Sequence, residues 1–160
     1  MRDRKPFPVL LLAGGALAVF AAALILVLFV SMKKDSNEEL CRANLTVIGM
    51  AIRVGELPNS PKWDGVGRGR EFFLNQEKWP SYQHRDLDLT CPVKGGRGDC
   101  DYRGPALPLR EIGNGEPMAA DRIGNHGPDK GGNVLLKTGA VHTVGPKEPL
   151  WETAARTTSD

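Results

Sequence analysis

The feature that constrains this chain most is a long apolar run without a single charge, from Phe7 to Met32. It is interrupted only by Pro8 and by the pair Gly14–Gly15. An α-helix rises about 1.5 Å per residue and bilayer hydrocarbon is about 30 Å thick, so roughly 20 apolar residues cross it. No credible signal-peptidase site ends the run, because two lysines follow Ser31–Met32 directly. The sequence therefore predicts an uncleaved transmembrane helix over residues 7–32.

The charges on either side of this run indicate its orientation. Three basic residues precede it and two lysines follow it, so the positive-inside rule leans slightly towards a cytoplasmic N-terminus at residues 1–6. All three cysteines lie after the run, and small loop-rich domains outside the cytoplasm commonly contain disulfides. We therefore expect a single-pass protein of the cytoplasmic (inner) membrane, with its N-terminus inside and residues 33–145 as a head in the periplasm or outside. The lipid bilayer is then one partner.

The charge balance argues against a nucleic-acid partner. The net charge is only +2, and the basic residues are scattered among acidic ones. A nucleic-acid-binding surface normally shows a basic patch or stripe, and none is visible here.

A second helix is predicted directly after the apolar run, over residues 36–54. Ser36 to Glu39 offers a capping box, and Gly55 followed by Pro58 is a typical stop signal. One face of this helix is apolar and needs a partner to cover it. Its residues are Cys41, Leu45, Ile48 and Ile52. The sequence leaves open whether this helix continues the membrane helix or begins anew at Ser36.

Regular structure is expected to be sparse from Gly55 onward, since 16 of the 19 glycines and 10 of the 12 prolines lie there. A short helix is predicted within residues 70–82, with aromatic side chains that cover the first helix. Residues 146–160 are mostly polar and are predicted to be a mobile tail.

The strongest strand signal is a hairpin over residues 133–144, with Thr138–Gly139 as a two-residue turn. This turn pairs Leu136 with Val141 and Val134 with Thr143. These four residues are predicted to share the face that packs on the helix, with Leu135 and His142 on the other face.

An ordered set of short motifs accompanies this plan: Cys41–Ala51, Cys91–Pro92, Tyr102–Pro105, Ala120–Gly127 and Gly132–Gly139. Together they resemble the prepilin-like proteins of bacteria, and more narrowly the group related to type II secretion pseudopilins. In that group a C-terminal motif runs from a histidine to an Asp-Gly hairpin turn. The corresponding turn residues here are Asn125, His126, Gly127, Thr138 and Gly139.

The resemblance implies an α+β fold. A long N-terminal helix would have its first half in the membrane and its second half packed under a small antiparallel sheet. Such proteins are subunits or accessory factors of pilus-like assemblies and have no catalytic site. This chain departs from the family pattern at Gly14–Gly15, where no prepilin peptidase site follows, and at Thr138, which replaces the Asp of the turn. A static pilin-like protein is therefore expected.

Three cysteines leave the disulfide pairing open. Cys91 and Cys100 close a short glycine-rich loop and are favoured as a pair by their proximity in sequence. Cys41 lies on the apolar stripe, where a buried free thiol is common. The family resemblance instead implies a bridge between Cys41 and Cys91, which ties the helix to the loop.

No metal, cofactor or catalytic site is predicted. Zinc sites usually show tight pairs of cysteines or histidines, and His84, His126 and His142 form none with the cysteines. Asp121, Asn125 and Asp129 offer three oxygen ligands where calcium needs six to eight. No serine or cysteine has the neighbours of an activated nucleophile.

Small residues within the apolar run indicate a helix–helix contact. Gly14, Ala18 and Ala22 lie four apart on one face, which lets a second helix approach closely. The partners would be other membrane or pilin-like subunits. The sequence thus favours a pilin-like structural or interaction protein, an accessory of a type II secretion or pilus-like assembly. The alternative is a membrane-tethered module that binds a metal or a small ligand.

Overall fold

The computed structural model describes residues 8–53, 61–79, 87–93, 100–127 and 129–160, with side chains from Val19 onward except at Pro61. It divides into two compact units, Met1–Ser36 and Asn37–Asp160. The predicted α+β class is confirmed, since the chain combines a long N-terminal helix with a small antiparallel sheet of five strands.

The long helix, α1, spans Pro8–Arg53. No proline follows Pro8 before the helix ends, so no residue within it lacks the backbone N–H that the helical ladder needs. Ser36, the residue at which a separate second helix would have begun, lies inside α1. The helix therefore continues through this position.

In the first unit, the large apolar side chains of α1 between Val19 and Met32 are exposed. Their exposed fractions run from 53% at Leu24 to 71% at Phe29. Polar residues begin only at Ser31, followed by Lys33, so the segment from Val19 to Val30 is apolar around its whole circumference. We call residues 19–32 the apolar segment.

Among the residues that the structure describes, no helix is long and apolar enough to cross a membrane. The prediction of a single-pass inner-membrane protein is therefore wrong. The predicted cytoplasmic N-terminus, residues 1–6, lies outside the described residues.

The second unit is built on the sheet. Its strands are β1 (Tyr102–Pro105), β2 (Pro117–Asp121), β3 (Gly132–Leu136), β4 (Val141–Val144) and β5 (Thr158–Ser159). Their order is β4-β3-β2-β1-β5, and every neighbouring pair is antiparallel. Two further helices are α2 (Arg70–Leu74) and α3 (Pro149–Thr157).

Each face of the sheet carries its own apolar core, because successive strand residues point to opposite sides. On one face Leu135 packs with the buried stripe of α1, whose four residues Cys41, Leu45, Ile48 and Ile52 are all fully buried. On the other face Val134 packs with Trp151 of α3. The sheet is therefore covered on both sides.

An aromatic cluster completes the core on the α1 side. Its rings lie with centroids 5.0 to 6.3 Å apart and belong to Trp63, Phe72, Phe73 and Trp79. The Trp79 indole N–H donates to the carbonyl of Phe72 at 2.8 Å, which fixes its orientation. The helix predicted within residues 70–82 is thus only the short α2 followed by a 3-10 turn, Gln76–Lys78. Residues 80–86 lie outside the described residues.

The hairpin of β3 and β4 differs from the prediction by one residue of register. Leu135 pairs with Val141, and Asn133 pairs with Thr143. The amide of Gly139 donates to the carbonyl of Leu136, and Gly139 has φ 86°, so the loop contains three residues and ends in a left-handed glycine. A slip of one residue exchanges the faces. Leu135, predicted to face away, is therefore the residue that packs towards α1.

The C-terminal segment 146–160, predicted as a mobile tail, forms α3 and β5. Pro149 occupies the first turn of α3, where its missing N–H costs nothing. Trp151 and Ala154 are buried against the sheet, and Ser159 pairs with Gly104 of β1. The burial of these two side chains and the strand pairing of Ser159 together anchor the segment.

One glycine is required by a close approach of two backbones. A Cβ atom at Gly104 would overlap the carbonyl oxygen of Gly69, which neither backbone can avoid without moving. We expect Gly104→Ala to lower the free energy of unfolding by about 1–3 kcal/mol, as overpacking commonly does. Urea denaturation would measure it. Gly115→Ala is the matched control, since a Cβ there meets no atom within 4 Å. Equal stability of the two variants would contradict the observed contact between β1 and Gly69.

Candidate functional site

Four side chains of the types that bind metals or carry out thiol chemistry meet in the second unit. They are Cys41, Cys91, Asp121 and His126, and we call them the Cys-His-Asp cluster. One ligand atom from each lies within 4.8 Å of every other. The two thiols and the carboxylate belong to fully buried residues, and the His126 side chain is 6% exposed.

Each member of the cluster is positioned by a different part of the fold. Cys41 lies on the buried face of α1, one turn before Leu45, and Asp121 ends strand β2. The backbone N–H of Cys91 donates to the Asp101 carboxylate at 3.0 Å, which holds the segment 87–93 beside the sheet. His126 lies in the turn after β2, and the Asn125 side chain anchors this turn by donating to the Asp101 carbonyl at 2.7 Å.

The distances within the cluster are those of direct contact. The two sulfurs of Cys41 and Cys91 are 2.7 Å apart, and Cys41 Sγ lies 3.2 Å from Asp121 Oδ1. His126 Nε2 lies 2.8 Å from Asp121 Oδ2 and 3.9 Å from Cys91 Sγ. Cys41 carries one thiol proton, so it cannot donate to Cys91 and to Asp121 at the same time.

Asp121 is the electrostatic centre of the cluster. Its Oδ2 accepts from the backbone N–H of Asn133 at 2.6 Å and from the Asn133 amide at 2.9 Å, besides His126. Its Oδ1 faces Cys41. A fully buried carboxylate is stable only when such donors replace its hydration. The guanidinium of Arg103, which donates to the Asp121 backbone carbonyl at 3.1 Å, adds positive charge nearby.

The cluster shifts the protonation of its members. The hydrogen bond to Asp121, assisted by Cys91, raises the pKa of His126 to about 10, so its imidazole is protonated at neutral pH and Nε2–H donates. The hydrogen bond that Cys41 donates lowers the pKa of Cys91. The same hydrogen bond, together with burial, raises the pKa of Cys41.

This arrangement does not match a nucleophile with a positioned base. In a cysteine–histidine–carboxylate triad the imidazole uses one nitrogen for each partner, whereas here Nε2 faces both Cys91 and Asp121. Cys91 is also fully buried, so a substrate could not reach its sulfur. The cluster is instead suited to hold groups together, by hydrogen bonds, by a metal ion or by a bond between the two sulfurs.

A surface pocket of about 280 Å³ reaches His126 from outside. It runs along Lys130, Gly131 and the end of β4, with Glu38 of α1 at its edge. Lys130 lies 3.5 Å from Glu38 across it. The pocket therefore connects solvent to the imidazole edge of an otherwise buried cluster.

The structure places the sequence-predicted cysteines differently from the favoured pairing. All three are free thiols, and Cys41 and Cys91, the rival pair, are in contact. Cys100 is buried elsewhere, with its thiol towards the Tyr102 carbonyl at 3.4 Å. The predicted pairing of Cys91 with Cys100 gains no support from this placement. Most of the glycine-rich loop between them, residues 94–99, lies outside the described residues.

The other predicted site residues are distributed as follows. Asn125, His126 and Gly127 lie in the turn after β2, and Thr138 and Gly139 are two of the three residues in the hairpin loop. Ala22 is exposed on α1, while Gly14 and Ala18 lie in the part of α1 for which only the backbone is described. His84 also lies outside it, and His142 is exposed on β4.

Sequence reasoning missed the cluster because it searched for tight ligand pairs. Cys41 and Cys91 are 50 residues apart, and Asp121 is 80 residues from Cys41. Only the packing of α1 on the sheet brings them together. The available signal was a cysteine on a helix face predicted to be buried, combined with Asp121 and His126 in one short motif.

Comparison of the chain with protein-family models, with curated proteins and with solved structures gave no match.

Proposed function

We propose that the chain is a non-catalytic, pilin-like interaction protein, an accessory of a pilus-like or type II secretion-like assembly. In this proposal the apolar segment of α1 binds the helices of further copies of this chain or of other pilin-like subunits. The second unit, Asn37–Asp160, is the folded head that the assembly presents. The observation that carries the proposal is the exposure of the apolar segment.

The size of the exposed surface supports an obligatory partner. Ten large apolar side chains lie between Val19 and Met32, each more than half exposed. Complete burial of one such side chain is worth about 1.5–3 kcal/mol. Soluble monomers rarely expose apolar patches beyond a few hundred Å². Association that covers even part of this segment is therefore strongly favourable.

The distribution of the apolar residues supports a bundle of helices. A helix with one apolar stripe is satisfied by one neighbour, whereas a helix that is apolar around its circumference needs several. Small residues in the same stretch, Ala21 to Ala23, permit close approach of neighbouring backbones. This is the contact that pilin-like subunits would make in an assembly.

Sedimentation of the full-length chain tests the proposal. We expect discrete oligomers of the wild-type protein in mild detergent. The combined variant Phe20→Gln, Leu24→Gln and Leu28→Gln should sediment as a monomer, because polar side chains in the apolar segment remove the gain from burial. Its head should melt at the wild-type temperature.

The matched control is Ile123→Gln, which changes a 68% exposed apolar residue on the head. This variant should retain the oligomers. A monomeric wild-type protein, or a broad aggregate of undefined size that the triple variant preserves, would contradict the proposal.

A further inference from the structure

We propose that the Cys-His-Asp cluster is a closed Zn²⁺ site that fastens α1 to the sheet, a role beyond the proposed association through the apolar segment. The donor set consists of two thiols, one imidazole nitrogen and one carboxylate oxygen. Zn²⁺ in structural sites is almost always four-coordinate and is bound by these ligand types.

Two of the four distances within the cluster are close to the spacing of ligands on one ion. Zinc lies about 2.3 Å from sulfur and about 2.0–2.2 Å from nitrogen or oxygen, so tetrahedral ligand atoms are roughly 3.4–3.8 Å apart. Cys91 Sγ and His126 Nε2 are 3.9 Å apart, and Cys41 Sγ and Asp121 Oδ1 are 3.2 Å apart. The two sulfurs, at 2.7 Å, would have to separate by about 1 Å. His126 Nε2, which now lies 2.8 Å from Asp121 Oδ2, would exchange this contact for one with the ion.

Zn²⁺ would replace the protons that now form hydrogen bonds between members of the cluster. Binding releases the thiol protons and the Nε2 proton of His126, and each released proton leaves a lone pair that faces the centre. Asp121 would bind through Oδ1, whose described partner is the Cys41 thiol. Its Oδ2 would remain bonded to the backbone and side-chain amides of Asn133. Such outer partners orient metal ligands and tune their affinity.

The burial of the cluster indicates a structural site. Cys41, Cys91 and Asp121 are fully buried, so four protein ligands would complete the coordination and leave no position for substrate. The pocket beside His126 supplies a route by which the ion reaches the site. Zinc would then link α1, the segment 87–93 and β2, and its binding free energy would add to the stability of the head.

Metal analysis of the full-length chain tests this inference, with the protein purified under reducing conditions and stripped with EDTA. We expect one equivalent of Zn²⁺ to bind. We also expect Co²⁺, as a spectroscopic substitute, to give the visible bands of a tetrahedral thiolate site. Cys91→Ser and His126→Gln should each weaken Zn²⁺ binding at least about 100-fold, since they remove direct ligands.

Cys100→Ser is the matched control, because it removes a buried cysteine outside the cluster and should keep one equivalent. If the ligand variants fail to fold, the wild-type protein alone still decides: Zn²⁺ should raise its melting temperature, and EDTA should reverse that increase. No retained Zn²⁺ under reducing conditions would overturn the proposal. Equal Zn²⁺ content in the folded ligand variants would do the same, because the ion would then be adventitious.

Discussion

Replacing Ile48 with aspartate is expected to unfold the head. Ile48 is fully buried on α1, in the core that Leu45, Ile52 and Leu135 share. An unpaired carboxylate at this position costs several kcal/mol, comparable with the whole stability of a small domain, about 5–15 kcal/mol. Near-UV circular dichroism would report the loss of fixed packing around Trp63 and Trp79, and thermal denaturation would lose its cooperative transition.

Val47→Asp is the matched control for this substitution. Val47 is the neighbouring residue on α1 and is 51% exposed, so the same charge there remains hydrated. This variant should melt close to the wild-type temperature. A cooperative transition of Ile48→Asp at the wild-type temperature would show that α1 does not pack on the sheet in solution.

Replacing Asp121 with alanine is expected to be nearly as damaging, in reduced and metal-free protein. The protonated His126 and both amides of Asn133 lose their acceptor. Removing one partner of a buried, hydrogen-bonded charge pair costs about 3–5 kcal/mol. Urea denaturation would measure the change, and Asp129→Ala, which removes an exposed carboxylate next to the same turn, should change little.

The pH dependence of this effect identifies its cause. The folded-state pKa of His126, about 10, is above its ordinary value of 6.5. The stabilisation from the His126–Asp121 pair is therefore complete below about pH 6.5 and is lost as the pH rises towards 10. The difference between wild-type protein and Asp121→Ala should shrink over that interval. A difference below about 1 kcal/mol at pH 6.5, or one that grows with pH, would contradict the assigned role of Asp121.

The parts of the fold that local pattern determines were predictable from the sequence. The α+β class is confirmed, and the helical spacing of Leu45, Ile48 and Ile52 indicated the face of α1 that is buried. The hairpin register was harder to predict, because the sequence around Thr138 and Gly139 is compatible with both a two-residue and a three-residue loop. The choice between them depends on the backbone conformation of Gly139 and on the packing of Leu135 against α1.

The remaining features depend on tertiary contacts that no local pattern encodes. Helix α3 is polar except for a few residues, and Trp151 is fixed by the sheet and by Arg103, whose guanidinium lies 5.0 Å from its ring centroid. The Cys-His-Asp cluster joins residues from three separate parts of the chain. The membrane prediction was wrong for a different reason. It took the hydrophobicity of the run as sufficient evidence for a transmembrane helix, whereas no helix among the described residues is long and apolar enough to cross a membrane.

Site-specific photocrosslinking in cells is the measurement that tests the central claim most directly. A photoreactive amino acid would replace Leu28 in the apolar segment of the full-length chain, and Ile123 on the head would serve as the control position. The proposal predicts adducts from position 28 to copies of this chain or to other subunits with an apolar N-terminal helix, and none of these from position 123. Absence of protein adducts at position 28, or adducts confined to position 123, would contradict association through the apolar segment.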